Sequence, residues 1–487
     1  MHSINGNRYG SRSQLHDVHV RLRWCRCWIH RRKARPVGLL RHLRAGHGLA
    51  DAIAMGTAVL VGFAAVPAHG AAADKSAASQ PSPFWDDAAR QLMNQGQLEE
   101  AAAILDARLA VAPKDTQARF LKGMIAVAKK DNRQATRIFR SILIDEPSAT
   151  RVRLELARAF FLAKDYGNAM RQFQFALAGN PPPEVVANIK LYIAAIRDAK
   201  SVSYNFGVAI APDTNLNTGS SAREVSLFGL PFDLSEDAKQ RSGIGLALEA
   251  GAEWAPRIGK DKRLRLGLNG QRREYSGSDF DDMTIAGYAG PRLVSGQWDL
   301  SLLATTYKRW YGGHSYNRAV GVRAEATYYF NPRLGISGAA SAQWLRHRQA
   351  RERDGRLVSL NGGAFYALTS SSAVTVKVGV SRQDARINPY SSWSGFVAAG
   401  YFRDLPMGFS VYVEPAFSIA RYDEALLGFG KVRSDNTQSV QVTLLNRHLV
   451  LTRFTPRIAY TFTRQTSSIP LYEFTRNRLE IGLTTVF

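Results

Sequence analysis

The sequence predicts an α+β multidomain protein in which an all-α solenoid of short repeats is followed by a 14-stranded antiparallel transmembrane β-barrel. Three observations lead to this fold class. Proline recurs every 34 residues between residues 82 and 183, and from Ser201 onward polarity alternates along the chain. The segments between the alternating stretches are short and long in turn. A chain of 487 residues has room for both domains.

Residues 1–73 are expected to be a leader and a secretory signal peptide. Residues 1–50 hold eleven Lys or Arg against one acid. The apolar run Met55–Ala65 is followed by small residues, which is typical of a signal cleavage site, and it is too short to span a membrane. The basic stretch ahead of it exceeds an ordinary signal, which favours a start codon assigned too early, with a long leader as the alternative.

Composition excludes several classes of site. The net charge of +24 does not predict nucleic-acid binding, because the basic residues beyond the leader are spread singly through strand-like segments. Cys25 and Cys27 are the only cysteines, and no further cluster completes a set of four metal ligands. No Gly-rich phosphate loop ending in Lys-Ser/Thr is present, so no nucleotide or other cofactor is expected.

A three-fold repeat predicts a helical domain over residues 82–200. Small residues at one repeat position let two antiparallel helices approach closely, a large apolar residue fills the gap, and proline ends the second helix. The pattern resembles three tetratricopeptide repeats, with 184–200 as a capping helix; an irregular helical bundle is the alternative. The sets that keep the 34-residue spacing are Pro113, Pro147 and Pro181; Ala101, Ala135 and Ala169; Leu105, Phe139 and Phe173; and Ala89, Gly123 and Ala157.

A stack of such repeats presents a concave groove, which is the candidate partner-binding surface. By the usual register its lining includes Arg90, Gln117, Met124, Arg151 and Arg158. This mildly basic lining suits a peptide or a partner protein. The alternative is that these are ordinary solvated positions of helix surfaces.

Residues 201–487 are expected to form the outer-membrane β-barrel. In 374–381, for example, valines alternate with polar or small residues, as lipid-facing and lumen-facing positions do. Short connections such as Thr369–Ser372 alternate with long polar ones such as Asp213–Gln240. Short turns face the periplasm, and an even strand count returns both chain ends there; a soluble β-sandwich is the alternative. The fourteen segments start near Ser203, Gly243, Arg263, Met283, Trp298, Ala319, Leu334, Val358, Ala373, Gly395, Phe409, Gln438, Arg453 and Asn477.

Aromatic residues and the last strand add two expectations about the membrane. Trp254, Tyr329–Phe330 and Tyr401–Phe402 lie beside predicted short turns and are expected to form an aromatic girdle at the periplasmic interface. In the last strand, alternation puts Glu480 on the lumen face. Its lipid face is expected to act as the barrel assembly signal through Leu479, Ile481, Leu483 and Phe487.

No catalytic site is predicted, so the protein is not expected to be an enzyme. Beyond the signal region the only histidines are His314 and His347, in predicted extracellular loops, and His448, in a predicted short turn. None is placed for a Ser/His or Asp/His constellation. Acids on the predicted lumen face more often pair with arginine in a pore wall than work as acid and base; they are Glu249, Glu253, Glu414 and Glu480.

The order of signal, three repeats, barrel and carboxy-terminal Phe resembles the surface lipoprotein assembly modulator (Slam) family, the outer-membrane translocons of the type XI secretion system. Segment Ala211–Asn217 is similar to the family's Asn-rich sequence after the first strand, and Asn477–Glu480 resembles its closing strand. The resemblance implies repeats that bind a protein substrate or its chaperone in the periplasm. It also implies a barrel, inserted by the barrel assembly machinery, that helps a surface lipoprotein or a secreted haem- or metal-binding protein cross the outer membrane.

Two other functions stay open at this point. An exopolysaccharide export porin also joins periplasmic tetratricopeptide repeats to a barrel, although usually with longer repeat arrays. A passive porin or surface receptor would leave the repeats without a role.

Overall fold

The computed structural model describes most of the chain beyond the predicted signal. The expectations for the leader, for His448 and for Phe487 lie outside the described residues. These are 84–199, 201–236, 238–331, 333–447, 449 and 454–485.

Among the described residues, seven helices precede the strands, and their hairpins keep the 34-residue period. Gly96, Lys130 and Lys164, each 34 residues apart, have φ of 80°, 62° and 59° in the turns between paired helices. Asp131 and Asp165 cap the helices that follow two of these turns through hydrogen bonds to backbone N–H groups. This arrangement is compatible with tetratricopeptide repeats. The helices are α1 (Phe84–Asn94), α2 (Leu98–Val111), α3 (Thr116–Ala128), α4 (Asn132–Asp145), α5 (Thr150–Leu162), α6 (Tyr166–Ala178) and α7 (Pro183–Ala199).

The repeated small and large positions form the core of this helical unit. Gly123 of α3 faces Phe139 of α4 so closely that a Cβ at residue 123 would lie 2.5 Å from the ring. Ala101, Leu105 and Phe173 are fully buried at the equivalent contacts. The period therefore reports helix packing. None of the helices among the described residues is long and apolar enough to cross a membrane.

Fourteen antiparallel strands then close into a barrel in which the first strand pairs with the last. The fourteen predicted segments correspond one to one with these strands. The largest offset is at the strand that begins at Lys431 rather than Gln438, because its polar outer half had the composition of a loop. The barrel strands are β1 (Val202–Asp213), β4 (Gly243–Trp254), β5 (Lys262–Tyr275), β6 (Asp282–Ser295), β7 (Trp298–Tyr311), β8 (His314–Asn331), β9 (Leu334–His347), β10 (Gly355–Thr369), β11 (Ser372–Ala385), β12 (Ser392–Asp404), β13 (Phe409–Leu426), β14 (Lys431–Asn446), β15 (Thr455–Ser467) and β16 (Phe474–Thr484). Strands β2 (Glu224–Leu227) and β3 (Leu230–Asp233) form a separate hairpin.

The outer surface of the barrel is apolar, with aromatic residues near its periplasmic end. Trp254, at the end of β4, is 53% exposed, and Phe330 near the end of β8 and Tyr401 near the end of β12 also face outward. Along β16, Ile481 is exposed while Glu480 is buried on the lumen side. An apolar exterior with interfacial aromatics is the pattern of an outer-membrane barrel.

Candidate functional site

The helical unit docks on the periplasmic turns of the barrel, so its position relative to the pore is defined by contacts. The turn between β8 and β9 contributes Arg333, whose Nε donates to the carbonyl of Leu177 at 3.0 Å and whose Nη2 donates to the side chain of Asn180. In the turn between β10 and β11, the Ser370 hydroxyl donates to the carbonyl of Ser148 at 3.0 Å. Helices α5 and α6 therefore rest on consecutive short turns.

The centre of this docking surface is a buried ion pair. Arg153 of α5 is fully buried, and its Nη2 lies 3.1 Å from Oδ2 of Asp404 at the end of β12. Asp404 also accepts a hydrogen bond from the Ser410 hydroxyl at 2.8 Å and lies 3.3 Å from Nη1 of Arg447. The other Arg153 hydrogen bonds, to Gln172 and to the carbonyl of Pro147, stay within the helical unit. One carboxylate thus joins the two domains.

An apolar contact surrounds the ion pair. Phe175 of α6 stacks on Phe402 at a centroid distance of 5.7 Å, and both pack against Ala367 and Ala373. The expectation that Phe402 belongs to the lipid-facing girdle is therefore wrong. Neighbouring residues of a strand point to opposite faces, so that with Tyr401 facing out, Phe402 turns toward the helices.

The docking surface is rich in arginine. Burial lowers the pKa of Arg153, although Asp404 opposes the shift. Burial likewise lowers the pKa of Arg171 to about 10, with Asp404 and Asp165 acting in the opposite direction. Burial also lowers the pKa of Arg140, and the charge of Arg447 adds to that effect. The carboxylate of Asp404 is therefore the main electrostatic compensation for several guanidinium groups.

Helix α7 crosses the periplasmic mouth of the barrel. Asn180, just before α7, contacts Arg333 of the β8–β9 turn, whereas Ser201, just after it, accepts a hydrogen bond from Ala255 at 2.6 Å beside β1. The docking turns and β1 lie on opposite sides of the circular strand order. Seventeen residues of α-helix span about 25 Å. The helix bridges the opening between these two sides.

The predicted groove residues lie on α1, α3 and α5, and the structure brings them together in two groups. Arg90 and Gln117 converge on the buried Asp86, with Arg90 Nε 2.8 Å from Oδ1 and Gln117 Nε2 3.3 Å away. Sequence reasoning missed Asp86, because an acid near the start of α1 also reads as a helix-terminus residue. Met124 packs partly against the core of the helical unit.

The second group lies on α5. The guanidinium carbon of Arg151 sits 4.7 Å from the centroid of the Phe120 ring, and Arg158 Nη1 is 3.7 Å from a carboxylate oxygen of Glu155. Burial raises the pKa of Glu155, although Arg158 and Arg151 oppose the shift. These positions on α5 offer cationic groups, one of them stacked on an aromatic ring, and such groups attract acidic and aromatic side chains.

The lumen wall is built from paired charges. Glu253 accepts from Arg265 at 2.7 Å, and Arg265 also reaches Glu325 at 2.7 Å. Lys377 lies 2.7 Å from Glu414, and Glu480 pairs with Arg457. The predicted lumen acids are thus salt-bridged, apart from Glu249, for which the described residues provide no ion pair. No group of three or more metal-ligating side chains was found among the described residues.

The Asn-rich segment 211–217 closes the barrel where β1 meets β16. Asp213 accepts two hydrogen bonds from Arg476, at 2.9 and 2.5 Å. The buried Asn215 amide donates to the carbonyl of Thr475 at 3.3 Å and to that of Gly219 at 3.0 Å. These contacts join the outer end of β1 to β16 and set the direction of the first extracellular loop.

That loop folds into the β2–β3 hairpin, which the sequence reasoning did not anticipate. Its two-residue turn, Phe228–Gly229, has φ of 53° and 80°, as a turn with two left-handed residues requires. The Phe228 N–H donates to the carbonyl of Gly428, in the loop between β13 and β14, at 2.6 Å. The hairpin is therefore anchored to a different extracellular loop.

An apolar cluster, here the lid cluster, packs the hairpin against three other extracellular loops. It draws on the loops that follow β1, β11, β13 and β15, and β1 and β11 are six positions apart in the fourteen-strand circle. The cluster therefore extends over about half of the rim. Its members are Val225, Leu227, Leu234, Ala238, Leu426, Ile469, Leu471 and Tyr472, with Phe232, Tyr390 and Phe429 packed against them.

The histidine predictions need one correction. His314 is the first residue of β8 and His347 is the last of β9, so that both belong to strands and not to loops. The long polar loops had been given too many residues, because strands such as β8, with 18 residues, are longer than a spanning strand needs to be. His347 Nδ1 lies 3.3 Å from Asp354, and this pair sits at the edge of the extracellular turn that follows β9.

Comparison with known proteins shows which family the chain resembles. The family model for the surface lipoprotein assembly modifier matches residues 203–487. A protein named "Surface lipoprotein assembly modifier 1" from Neisseria meningitidis is 24% identical over 76% of this chain and 76% of its own length. A "Surface lipoprotein assembly modifier" from Pasteurella multocida is 20% identical over 74% of this chain and 75% of its own length.

The family match and the closed barrel agree on location. A fourteen-stranded barrel with an apolar exterior is an outer-membrane protein, and the helical unit on its short-turn side lies in the periplasm. Because the matched segment covers the whole barrel and more than half of the chain, the resemblance stated from the sequence is confirmed. The chain belongs to the surface lipoprotein assembly modifier family.

Proposed function

We propose that this protein helps a surface lipoprotein, or a secreted haem- or metal-binding protein, to cross the outer membrane. Family membership, with relatives named for surface lipoprotein assembly, supports this proposal over an exopolysaccharide porin. The observation that carries it is the placement of the helical unit, which the buried pair of Arg153 and Asp404 holds against the periplasmic mouth. A partner bound to these helices waits at the entrance of the pore.

Capture begins in the groove. Arg90, Gln117, Met124, Arg151 and Arg158 bind the cargo or a periplasmic chaperone that carries it. The exposed Arg151 guanidinium over Phe120 supplies a cationic surface for acidic or aromatic side chains. Binding is followed by guided passage without a covalent step.

Passage follows the lumen. Its predicted acids, apart from Glu249, are paired with basic side chains, so the wall is polar and most of its acidic groups are compensated. The alternative route, sideways between β1 and β16, requires the Asp213–Arg476 pair and the strand ladder from Gly207 to Ile210 to break. Helix α7 lies at the periplasmic mouth and the lid cluster lies at the extracellular rim, so we expect both to move during transport.

Insertion of the barrel depends on the last strand. Leu479, Ile481 and Leu483, with Phe487 beyond the described residues, present the signal that the barrel assembly machinery recognises. Ile481 is 49% exposed on the lipid side, which supports this role.

The test is surface display in a laboratory host. The lipoprotein or secreted protein encoded beside this chain is expressed with and without it, and the intact cells are labelled with an antibody against the cargo. We expect surface labelling only when both proteins are present, at equal total cargo in both strains. Equal labelling of both strains would show that this chain does not transport the cargo.

A further inference from the structure

One buried charged side chain in the described part of the extracellular loops has neither a hydrogen-bond partner nor an ion-pair partner for its side chain. Arg353 lies in the short turn between β9 and β10 and is only 7% exposed. Its Nε is buried without a hydrogen bond, and none of the ion pairs among the described residues involves it. Its guanidinium carbon lies 4.7 Å from the centroid of the Tyr390 ring. A buried guanidinium group in this state is costly unless an anion or a set of acceptors meets it.

A second unsatisfied donor lies in the same region. Tyr472, of the turn between β15 and β16, is 5% exposed, and its hydroxyl is buried without a hydrogen-bond partner. Burial raises the pKa of Tyr472 to about 12, which keeps the hydroxyl protonated at neutral pH. Tyr390, on which Arg353 stacks, packs against the lid cluster that contains Tyr472.

The neighbouring acid does not supply the missing acceptor. Arg433 stacks on Tyr472 at 3.4 Å from the ring centroid and is paired with Asp435 at 2.7 Å. Asp435 also accepts from the Ser467 hydroxyl at 2.7 Å. Its oxygens are therefore engaged, and the charge of Arg353 stays uncompensated.

The surroundings define the class of ligand. Two donors without acceptors, one of them cationic, suit an oxyanion. The surroundings are aromatic and aliphatic, since Tyr390 packs against the lid cluster, which includes Leu227, Ile469 and Leu471. Such walls favour an anionic group attached to an apolar body over a free, strongly hydrated inorganic ion.

We propose that Arg353 and Tyr472 form a binding site, within the extracellular lid, for a carboxylate carried on an apolar or aromatic group. An acidic residue flanked by apolar residues in a polypeptide has this chemistry. The assignment of this carboxylate to a polypeptide in transit rests on the proposed function. The existence of the site does not. Occupancy places an anion among the loops that carry the lid cluster.

Binding is measured by isothermal titration on the purified full chain in detergent micelles, with sodium benzoate as the carboxylate probe. Benzamide has the same body without the charge, and inorganic phosphate has the charge without the body. We expect benzoate to bind at least about tenfold more tightly than either, as the loss of a charge-assisted hydrogen bond predicts. Arg353→Gln should weaken benzoate binding about tenfold or more, and Tyr472→Phe severalfold.

The control is Arg351→Gln, a neighbouring arginine of the same turn that is exposed and should leave affinity unchanged. If Arg353→Gln fails to fold, as judged by heat modifiability on a gel, Tyr472→Phe, which keeps the buried ring, decides alone. Benzoate binding that neither variant changes, absent benzoate binding, or phosphate binding as tight as benzoate would overturn the proposal.

The source is tested with the peptides acetyl-Phe-Glu-Phe-amide and acetyl-Phe-Gln-Phe-amide. Preferential binding of the Glu peptide supports a polypeptide ligand, whereas binding of benzoate without either peptide would overturn that assignment. Surface display of cargo is scored separately in cells. If cells that carry the unaltered chain show no cargo on their surface while the purified chain still binds benzoate, the transport function is contradicted and the binding site is not.

Discussion

Substitution of Asp404 by Asn should release the helical unit from the barrel while both parts stay folded. Asp404 is buried, and its carboxylate faces Arg153 at 3.1 Å and Arg447 at 3.3 Å. The amide keeps the shape of the side chain but removes the negative charge, which leaves buried guanidinium groups without compensation. Breaking a buried ion pair by removing one partner costs about 3–5 kcal/mol.

That free energy translates into a large shift of the docking equilibrium. At about 1.4 kcal/mol for each factor of ten, the ratio of docked to undocked protein should fall by roughly 140- to 4,000-fold. The helical unit retains its own core around Phe139 and Phe173, so its circular dichroism should persist. The barrel should keep its heat-modifiable migration.

The assay is a disulfide between Ser148→Cys and Ser370→Cys, positions whose side chain and carbonyl lie 3.0 Å apart in the docked state. The sequence has no cysteine after residue 27, so no other thiol of the mature region competes. Oxidation should be fast in the parent and much slower with Asp404→Asn. Arg153→Gln should reproduce the effect.

The matched control is Asp384→Asn, on the extracellular side. Asp384 is 38% exposed and pairs with Arg382 and Arg356, and such exposed pairs contribute little. It should leave the oxidation rate unchanged. A rate in Asp404→Asn equal to that of the parent would refute the argument that this buried carboxylate holds the domains together.

Three further predictions concern the lid cluster, the junction between β1 and β16 (here the seam), and the predicted groove of the helical unit. A disulfide from Phe228→Cys to Gly428→Cys should stop cargo display until a reductant is added, because their backbones are hydrogen-bonded in the closed lid; display under oxidising conditions would contradict gating by the hairpin. A disulfide from Val208→Cys to Leu483→Cys, paired across the seam, should leave display unchanged if cargo uses the lumen, and a block would support lateral exit. Arg151→Ala should weaken cargo binding to the helical unit about two- to fivefold by removing a stacked cation, and Arg151→Lys should retain part of the parent's affinity. Equal affinity of the parent and both variants would exclude this surface as the binding site.

The barrel strands could be predicted because each signals itself locally. A two-residue alternation such as 374–381 can be recognised without any knowledge of the neighbouring strands. The hairpin at Glu224–Asp233 could not be found in the same way. Its strands have four residues each, one contains Pro231, and they are held by apolar residues from loops more than 150 positions later in the chain.

Only part of the docking surface could be predicted from the sequence. Arg153 lies two residues after Arg151, which places its side chain on nearly the opposite face of α5, so the helix pattern separates it from the groove. Its partner Asp404 follows 251 residues later, and nothing in the sequence pairs them. The same holds for Arg353, whose burial results from loops that meet only in the closed barrel.

The course of α7 has a mechanical consequence. The helical unit is joined to the barrel covalently only where α7 leads into β1, and it is fastened by Asp404 and the adjoining turns on the far side. The helical unit is therefore attached at two opposite edges of the opening. At one edge the attachment is the covalent connection between α7 and β1, and at the other it is the noncovalent contacts around Asp404. Strand β1 also pairs with β16. When the helical unit undocks and turns about the connection between α7 and β1, it therefore pulls on the one junction where the two ends of the barrel sheet meet.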